Sequence, residues 1–324
     1  MYTISDLQKL VEQELEKQQF VVEPKGLYEP IEYVMAMGGK RIRPTLCLSA
    51  CYLFNDDIKK AMKPGISLEI FHNFTLLHDD IMDNADVRRN QPTVHKKWDE
   101  NTGILSGDAM LIKAYQYAAE IDGLHLKKVL DLFSQTAIEV CEGQQYDMEF
   151  ETRHDVKVDD YLTMIRLKTA VLLAASLKTG AIIGGASDKD ADLLYEFGEN
   201  IGLAFQLQDD FLDVYGNIET FGKAIGGDIV ANKKTFLLLN ALQLASGSLH
   251  KELLTWINAV DFNAHEKIEA VRKIYNSLKV DELAKEKMNF YFEKAIASLN
   301  EVKGRESMKE ELREFAVKLI QRSR

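Results

Sequence analysis

Phe71-His72-Asn73-Phe74-Thr75-Leu76-Leu77-His78-Asp79-Asp80-Ile81-Met82-Asp83 is followed five residues on by a pair of arginines, Arg88-Arg89. Three carboxylates fall within five residues at the end of an apolar run. On a helix, Asp79 and Asp83 are one turn apart and point to one face. Carboxylates so close stay ionised together only with a cation between them. A divalent ion with hard oxygen ligands suits them, and Mg²⁺ in particular takes a few carboxylates plus waters and phosphates. The plainer reading is a solvated acidic helix end. What weighs against it is a second copy, Gln206-Leu207-Gln208-Asp209-Asp210-Phe211-Leu212-Asp213.

In that second segment Leu194, Phe197, Ile201, Phe205, Gln208 and Leu212 recur at helical spacing. Gln206, Asp209, Asp210 and Asp213 form a second stripe along the same helix. Negative charge near a helix C-terminus opposes the helix dipole, so the cluster needs a compensating cation. Two such helices facing one another would make a cage of six carboxylates above a deep apolar cavity.

Helical periodicity dominates the rest of the 324 residues. Leu7, Leu10, Val11 and Leu15 open the chain, with Asp6 near the helix start. Further helices are expected from about Ile31 to Met37, Pro44 to Phe54, and after Pro64-Gly65. Others are expected from about Asp108 to Ile121, Leu126 to Phe150, Tyr161 to Leu177 and Ala191 to Tyr215, with five more beyond Thr235. Asn84 to Thr93 and Gly216 to Lys234 read as loops, and strand-like alternation is nearly absent. The expectation is an all-α chain of roughly ten or more helices. Only 5 prolines occur and no linker composition appears, so residues 1–324 are expected to form a single domain.

A net charge of −11 disfavours nucleic acid as a partner. The N-terminal stretch has no apolar signal core, and no run of ~18 apolar residues is evident, so stable membrane insertion is not expected. Cys47, Cys51 and Cys141 form no metal or disulfide framework, and Cys47 and Cys51 read as buried helix residues. The expected compartment is the cytoplasm.

Local cations stand against the acidic background. Gly38-Gly39-Lys40-Arg41-Ile42-Arg43-Pro44 joins a helix end to a helix start, and Lys40 and Arg43 can reach one anion. Arg88-Arg89 follow the first acidic cluster. Arg166-Leu167-Lys168-Thr169 puts a cation and a hydroxyl on one helix. Lys223, Lys233 and Lys234 follow the second cluster. Each alone reads as a solvated surface charge; together they suit a polyphosphate bridged by metal ions. Phosphates, Mg²⁺ and an apolar cavity imply a lipid-like diphosphate.

The ordered motifs GGKRIRP, HDDIMDNADVRRNQPT, EGQQYD, RLKT, FQLQDDFLD and GKAIGGDIVANKKT resemble the trans-isoprenyl diphosphate synthases, the polyprenyl synthetase family. The resemblance implies the isoprenoid synthase fold, helices around a central cavity. It implies head-to-tail condensation: an allylic diphosphate ionises, isopentenyl diphosphate attacks, and a proton is lost. Asp79, Asp83 and Asp209 would lead in holding several Mg²⁺ ions, with Asp80, Asp210 and Asp213 assisting. Arg88, Lys168, Thr169, Gln206, Lys223 and Lys233 would hold the allylic diphosphate, and Lys168, Thr169 and Gln206 would act on the reacting centre. Lys40, Arg43, His72 and Arg89 would form a metal-free isopentenyl diphosphate site. His72 lies about 20° from Asp79 on a helical wheel, which suits that face. Gln144 and Asp147 would support them. Where the family usually has glycine after the arginine pair, Asn90 stands here, a residue that tolerates a left-handed backbone.

The family sets product length by bulk beneath the first acidic motif. Phe74, Phe71 and Thr75 stand there, which suggests a farnesyl or geranylgeranyl product, farnesyl favoured by the two phenylalanines. A homodimer is also implied. A class I terpene cyclase and a regulatory subunit of a heteromeric synthase are the alternatives. Both Asp clusters and GGKRIRP favour the synthase.

Overall fold

The computed structural model describes residues 2–216 and 225–320. It is all-α apart from one small hairpin. In chain order the helices are α1 (Ile4–Glu16), α2 (Lys25–Ala36), α3 (Ile42–Tyr52) and α4 (Met62–Met82). The hairpin strands β1 (Val87–Arg88) and β2 (Gln91–Pro92) follow, then α5 (Val94–Lys97), α6 (Glu100–Ala118), α7 (Gly123–Thr152) and α8 (Val158–Ile165). After a π-helical turn, Arg166–Ala170, come α9 (Val171–Gly184), α10 (Asp188–Tyr215) and α11 (Gly227–Val230). The chain closes with α12 (Phe236–Leu244), α13 (Gly247–Asn258), α14 (Ala264–Ser277), α15 (Val280–Glu301) and α16 (Glu306–Ile320).

The chain groups into two compact units. The first takes residues 1–135, 175–195 and 302–312. Its core includes Leu7, Ile31, Leu48, Ile66, Ile70, Phe71 and Met110, all buried. The second takes residues 136–174, 196–301 and 313–324. Its core runs through Tyr161, Ile165, Leu207, Phe236, Leu253 and Tyr275.

Local chemistry explains the element ends. Thr3 and Asp6 form a capping box: the Thr3 hydroxyl accepts from the Asp6 N–H at 3.1 Å, and Asp6 accepts from the Thr3 N–H at 3.0 Å. Helix α2 starts before the expected Ile31, at Lys25, and carries Pro30 inside it. Helix α6 starts before the expected Asp108, with Asp99 as its cap accepting from the Thr102 N–H at 2.8 Å. Gly103 and Gly107 lie within α6, where α4 comes too close for a side chain. A Cβ at Gly107 would stand 2.1 Å from His78 Nε2, and one at Gly103 2.8 Å from Ile81. Val158–Gly184 is long and apolar enough to cross a membrane, yet 83% of its apolar window is buried in the protein. It is a core segment, and an apolar count alone does not separate the two.

Candidate active site

In the first unit the glycine loop meets the hairpin. Gly38 and Gly39 take φ of 79° and 135°, and Arg41 takes 47°. Pairing of Arg88 with Gln91 leaves Arg89 and Asn90 as a two-residue turn with φ of 51° and 62°. Both values are positive, as in a type I′ hairpin. Asparagine fills the usual glycine position without breaking the turn. The turn aims Arg89 at the glycine loop, where its guanidinium donates to the Gly38 carbonyl. A Cβ on Gly39 would lie 3.0 Å from that guanidinium.

Beneath the loop lies a charge network that the sequence motifs do not reveal. Arg41 donates to Glu69 Oε1 at 2.7 Å and to the Met35 carbonyl at 2.6 Å. Both side chains of the pair are nearly buried, at 7% and 3% exposure. Asn73 donates to the Glu69 carbonyl at 2.8 Å and to its Oε1 at 3.2 Å. Arg43 is half-buried, and its Nε is enclosed with no hydrogen-bond partner. Burial lowers the Arg43 pKa to about 10, Glu69 opposing and Arg89 adding to the shift. His72 is held well below the ordinary histidine value by burial first, then by Arg43, Arg89, Arg88 and Arg41. Arg43, His72 and Arg89 are thus brought together, while Lys40 stands exposed on the loop. An enclosed cationic donor with no partner is a cradle for an anion.

The first acidic cluster differs from the expected cage. Asp80 turns inward, its side chain 6% exposed, and Arg88 Nε donates to both of its oxygens, at 2.8 and 2.9 Å. Burial raises the Asp80 pKa while Arg88 opposes it. Arg88 also approaches Asp79 at 3.6 Å. Asp79 is half-buried, and Asp83, the C-cap of α4, is exposed.

Of the expected length determinants, Phe71 is 1% exposed and packs edge-to-face on Phe133 at 5.3 Å. The Phe74 ring sits 4.8 Å from His78. Thr75 turns its hydroxyl onto the His72 carbonyl at 2.8 Å.

In the second unit, the π-helical turn carries Lys168 and Thr169. Such a turn adds a residue to the helix and re-aims the side chains beyond it, and it is frequent at functional sites. Gly143 makes room: a Cβ there would lie 2.3 Å from the Lys168 backbone nitrogen. One turn on, Asp147 accepts from Lys168 Nζ at 2.6 Å. Gln144 lies beside them on α7, half-buried. Thr169 donates to Gln206 at 3.4 Å, and Gln206 donates to Asp210 at 3.4 Å. Asp210 turns inward like Asp80, taking a hydrogen bond from the buried Tyr161 hydroxyl. Burial, then Asp228, pushes its pKa up to about 7. Asp213 accepts from the Asp228 N–H at 2.9 Å and anchors the start of α11. Lys233 is exposed past α11, and Lys223 lies outside the described residues.

In each cluster, then, the middle carboxylate, Asp80 or Asp210, is the buried one. Asp79 and Asp83, like Asp209 and Asp213, remain a helical turn apart with hard oxygen donors. Among the described residues no three acidic, histidine or cysteine side chains gather into a complete metal cage. Two carboxylates per cluster fit a divalent ion that completes its shell with water and substrate phosphate.

A family model described as Polyprenyl synthetase matches residues 24–277. The geranylgeranyl diphosphate synthase of Methanosarcina mazei is 41% identical over 225 residues, 69% of each chain. A crystal structure of a geranylgeranyl pyrophosphate synthase superposes over 100% of both chains with a TM-score of 0.94 and 44% identity. That of the Corynebacterium glutamicum geranylgeranyl pyrophosphate synthase, complexed with isoprenyl diphosphate and magnesium, does so over 98% of each chain, with a TM-score of 0.84 and 26% identity. On these matches, the chain belongs to the polyprenyl synthetase family and is a trans-isoprenyl diphosphate synthase, an enzyme class that works with divalent metal ions.

Proposed function

We propose that the protein condenses isopentenyl diphosphate with allylic diphosphates and stops at geranylgeranyl diphosphate. The observation that carries the condensation is the cluster of Arg43, His72 and Arg89, with the Arg43 Nε enclosed and unpartnered. Such a site suits the diphosphate of the isopentenyl substrate, with Lys40 closing from the exposed side. The product length rests on the three relatives described above, each named for geranylgeranyl. The farnesyl preference argued from two phenylalanines loses its footing because Phe71 packs against Phe133 in the core. Phe74 alone is left as a stop for the growing chain.

Asp79 and Asp83 on α4, and Asp209 on α10, would hold Mg²⁺, with Asp213 assisting, and the ion would supply charge neutralisation for the leaving pyrophosphate. Asp80 keeps Arg88 aligned, and Asp210 keeps Gln206 aligned. Lys168, fixed by Asp147, and Lys233 are assigned to the allylic diphosphate. Thr169 and Gln206 orient their dipoles towards the reacting carbon. We also propose a cytoplasmic homodimer. Exposed Leu105 and Ile112 on α6, at 60% and 61%, support a protein partner, and three free cysteines suit a reducing compartment.

Incubation with labelled isopentenyl diphosphate, Mg²⁺ and dimethylallyl, geranyl or farnesyl diphosphate tests this reading by chromatography. A twenty-carbon end product is expected from all three. An end product of fifteen carbons would overturn the length assignment. Pyrophosphate released from the allylic substrate alone would point to a cyclase.

A further inference from the structure

Lys267 is among the most deeply buried large side chains, with 1% exposure, although lysine is rarely enclosed. It lies on α14, in the second unit, far in sequence from the family motifs. Its Nζ donates to Asn232 Oδ1 at 2.8 Å and to the Val230 carbonyl at 3.2 Å. The Phe262 ring lies 4.3 Å from the same nitrogen, centroid to Nζ. Two oxygens and an aromatic face satisfy an ammonium without a carboxylate.

Both oxygens belong to the segment that ends at Lys233. That segment is tightly specified. Asn232 holds a left-handed backbone with φ of 53°, and its side-chain amide donates to the Ile257 carbonyl at 3.0 Å. The Lys233 N–H returns to the Asp228 carbonyl at 2.9 Å. Upstream, a Cβ at Gly226 would stand 2.6 Å from Ile268, the residue after Lys267. A buried ammonium carries a large desolvation cost, and an apolar side chain of similar length would fill this place without it. What the charge adds is two directional bonds to residues one and three positions before Lys233.

We propose that Lys267 is a positioning residue that fixes the 226–232 segment and thereby sets where Lys233 presents its ammonium to the allylic diphosphate. This rests on the assignment of Lys233 to that diphosphate. The effect is selective, because the isopentenyl site is built from residues of the other unit.

The test compares Lys267→Met, Asn232→Gly and Lys233→Ala in the full-length protein. Asn232→Gly removes the shorter of the two bonds to the Lys267 ammonium while tolerating the left-handed backbone, and serves if Lys267→Met folds poorly. Amide hydrogen exchange at residues 228–233 is expected to quicken about tenfold or more in both clamp variants. KM for geranyl diphosphate with Mg²⁺ is expected to rise about tenfold, with KM for isopentenyl diphosphate unchanged. Wild-type exchange in this segment in both clamp variants overturns the clamp. So does an equal rise in both KM values. An unchanged geranyl diphosphate KM in Lys233→Ala instead overturns the assignment of Lys233, whatever the exchange shows.

Discussion

Arg88 grips Asp80 with two prongs, its Nε donating to both carboxylate oxygens and its Nη2 standing 2.7 Å from Oδ1. The arginine next to the acidic motif is therefore bonded to the protein. Replacing it with alanine leaves a carboxylate buried without its partner, at a stability cost of about 3 kcal/mol. Arg88→Lys keeps the charge but loses the fork, so it is expected to recover part of the stability and little of the turnover. Urea unfolding and steady-state kinetics of the pair separate the two effects.

Gly39 leaves room for the Arg89 guanidinium and adopts a φ of 135° that a side chain resists. Gly39→Ala is expected to displace Arg89 and raise the KM for isopentenyl diphosphate by about tenfold or more. The KM for the allylic substrate should stay near wild type. A matching rise in both would indicate general disruption instead.

Gly143→Ala drives a methyl group into the Lys168 backbone, where the gap is 2.3 Å. Overpacking of this kind costs about 1–3 kcal/mol. The displaced Lys168 loses its alignment with Asp147, so kcat is expected to fall well beyond what the stability loss explains. Kinetics at a temperature far below the melting midpoint would show it.

His72 gives a pH signature with a definite sign. Burial and four arginines hold its folded pKa well below normal, whereas the unfolded chain titrates near about 6.5. Below that pH the unfolded state binds the extra proton. Stability from this source is therefore present above about pH 6.5 and drains as the pH falls, by at most about 1.4 kcal/mol per unit. His72→Gln should flatten that slope in acid-range denaturation. Isopentenyl diphosphate supplies the missing negative charge, so its binding should take up protons near neutrality, visible as buffer-dependent heats in calorimetry.

The two phenylalanines of α4 should behave differently. Phe74→Ala is expected to lengthen the product beyond twenty carbons. Phe71→Ala removes a ring from the core beside Phe133 and should cost about 3–5 kcal/mol without lengthening the product. Chromatography of the products, with thermal melts of both variants, distinguishes them.

Much of this was legible in the residues. Leu7, Val11, Ile201 and Leu212 mark their helices because each buries one stripe, and burial is periodic. The acidic clusters were legible because their members are neighbours in sequence. Partnerships across the chain were not. Arg41 finds Glu69, Lys168 finds Asp147 and Asp210 finds Tyr161 over separations of 21 to 49 residues. The hairpin leaves no mark in the sequence because two-residue strands show no alternation. The π-helical turn left the apolar pattern of 161–177 unbroken. The early start of α6 was not legible, since nothing in the segment of Gly103 and Gly107 shows that α4 lies against them.

The Arg89-Asn90 turn carries a consequence for affinity. A free arginine surrenders backbone and rotamer freedom when it closes on an anion, and that loss is subtracted from the binding energy. Here the left-handed turn and the bond to Gly38 have immobilised Arg89 beforehand. The ordering cost is borne in folding, once per molecule, rather than at each catalytic cycle.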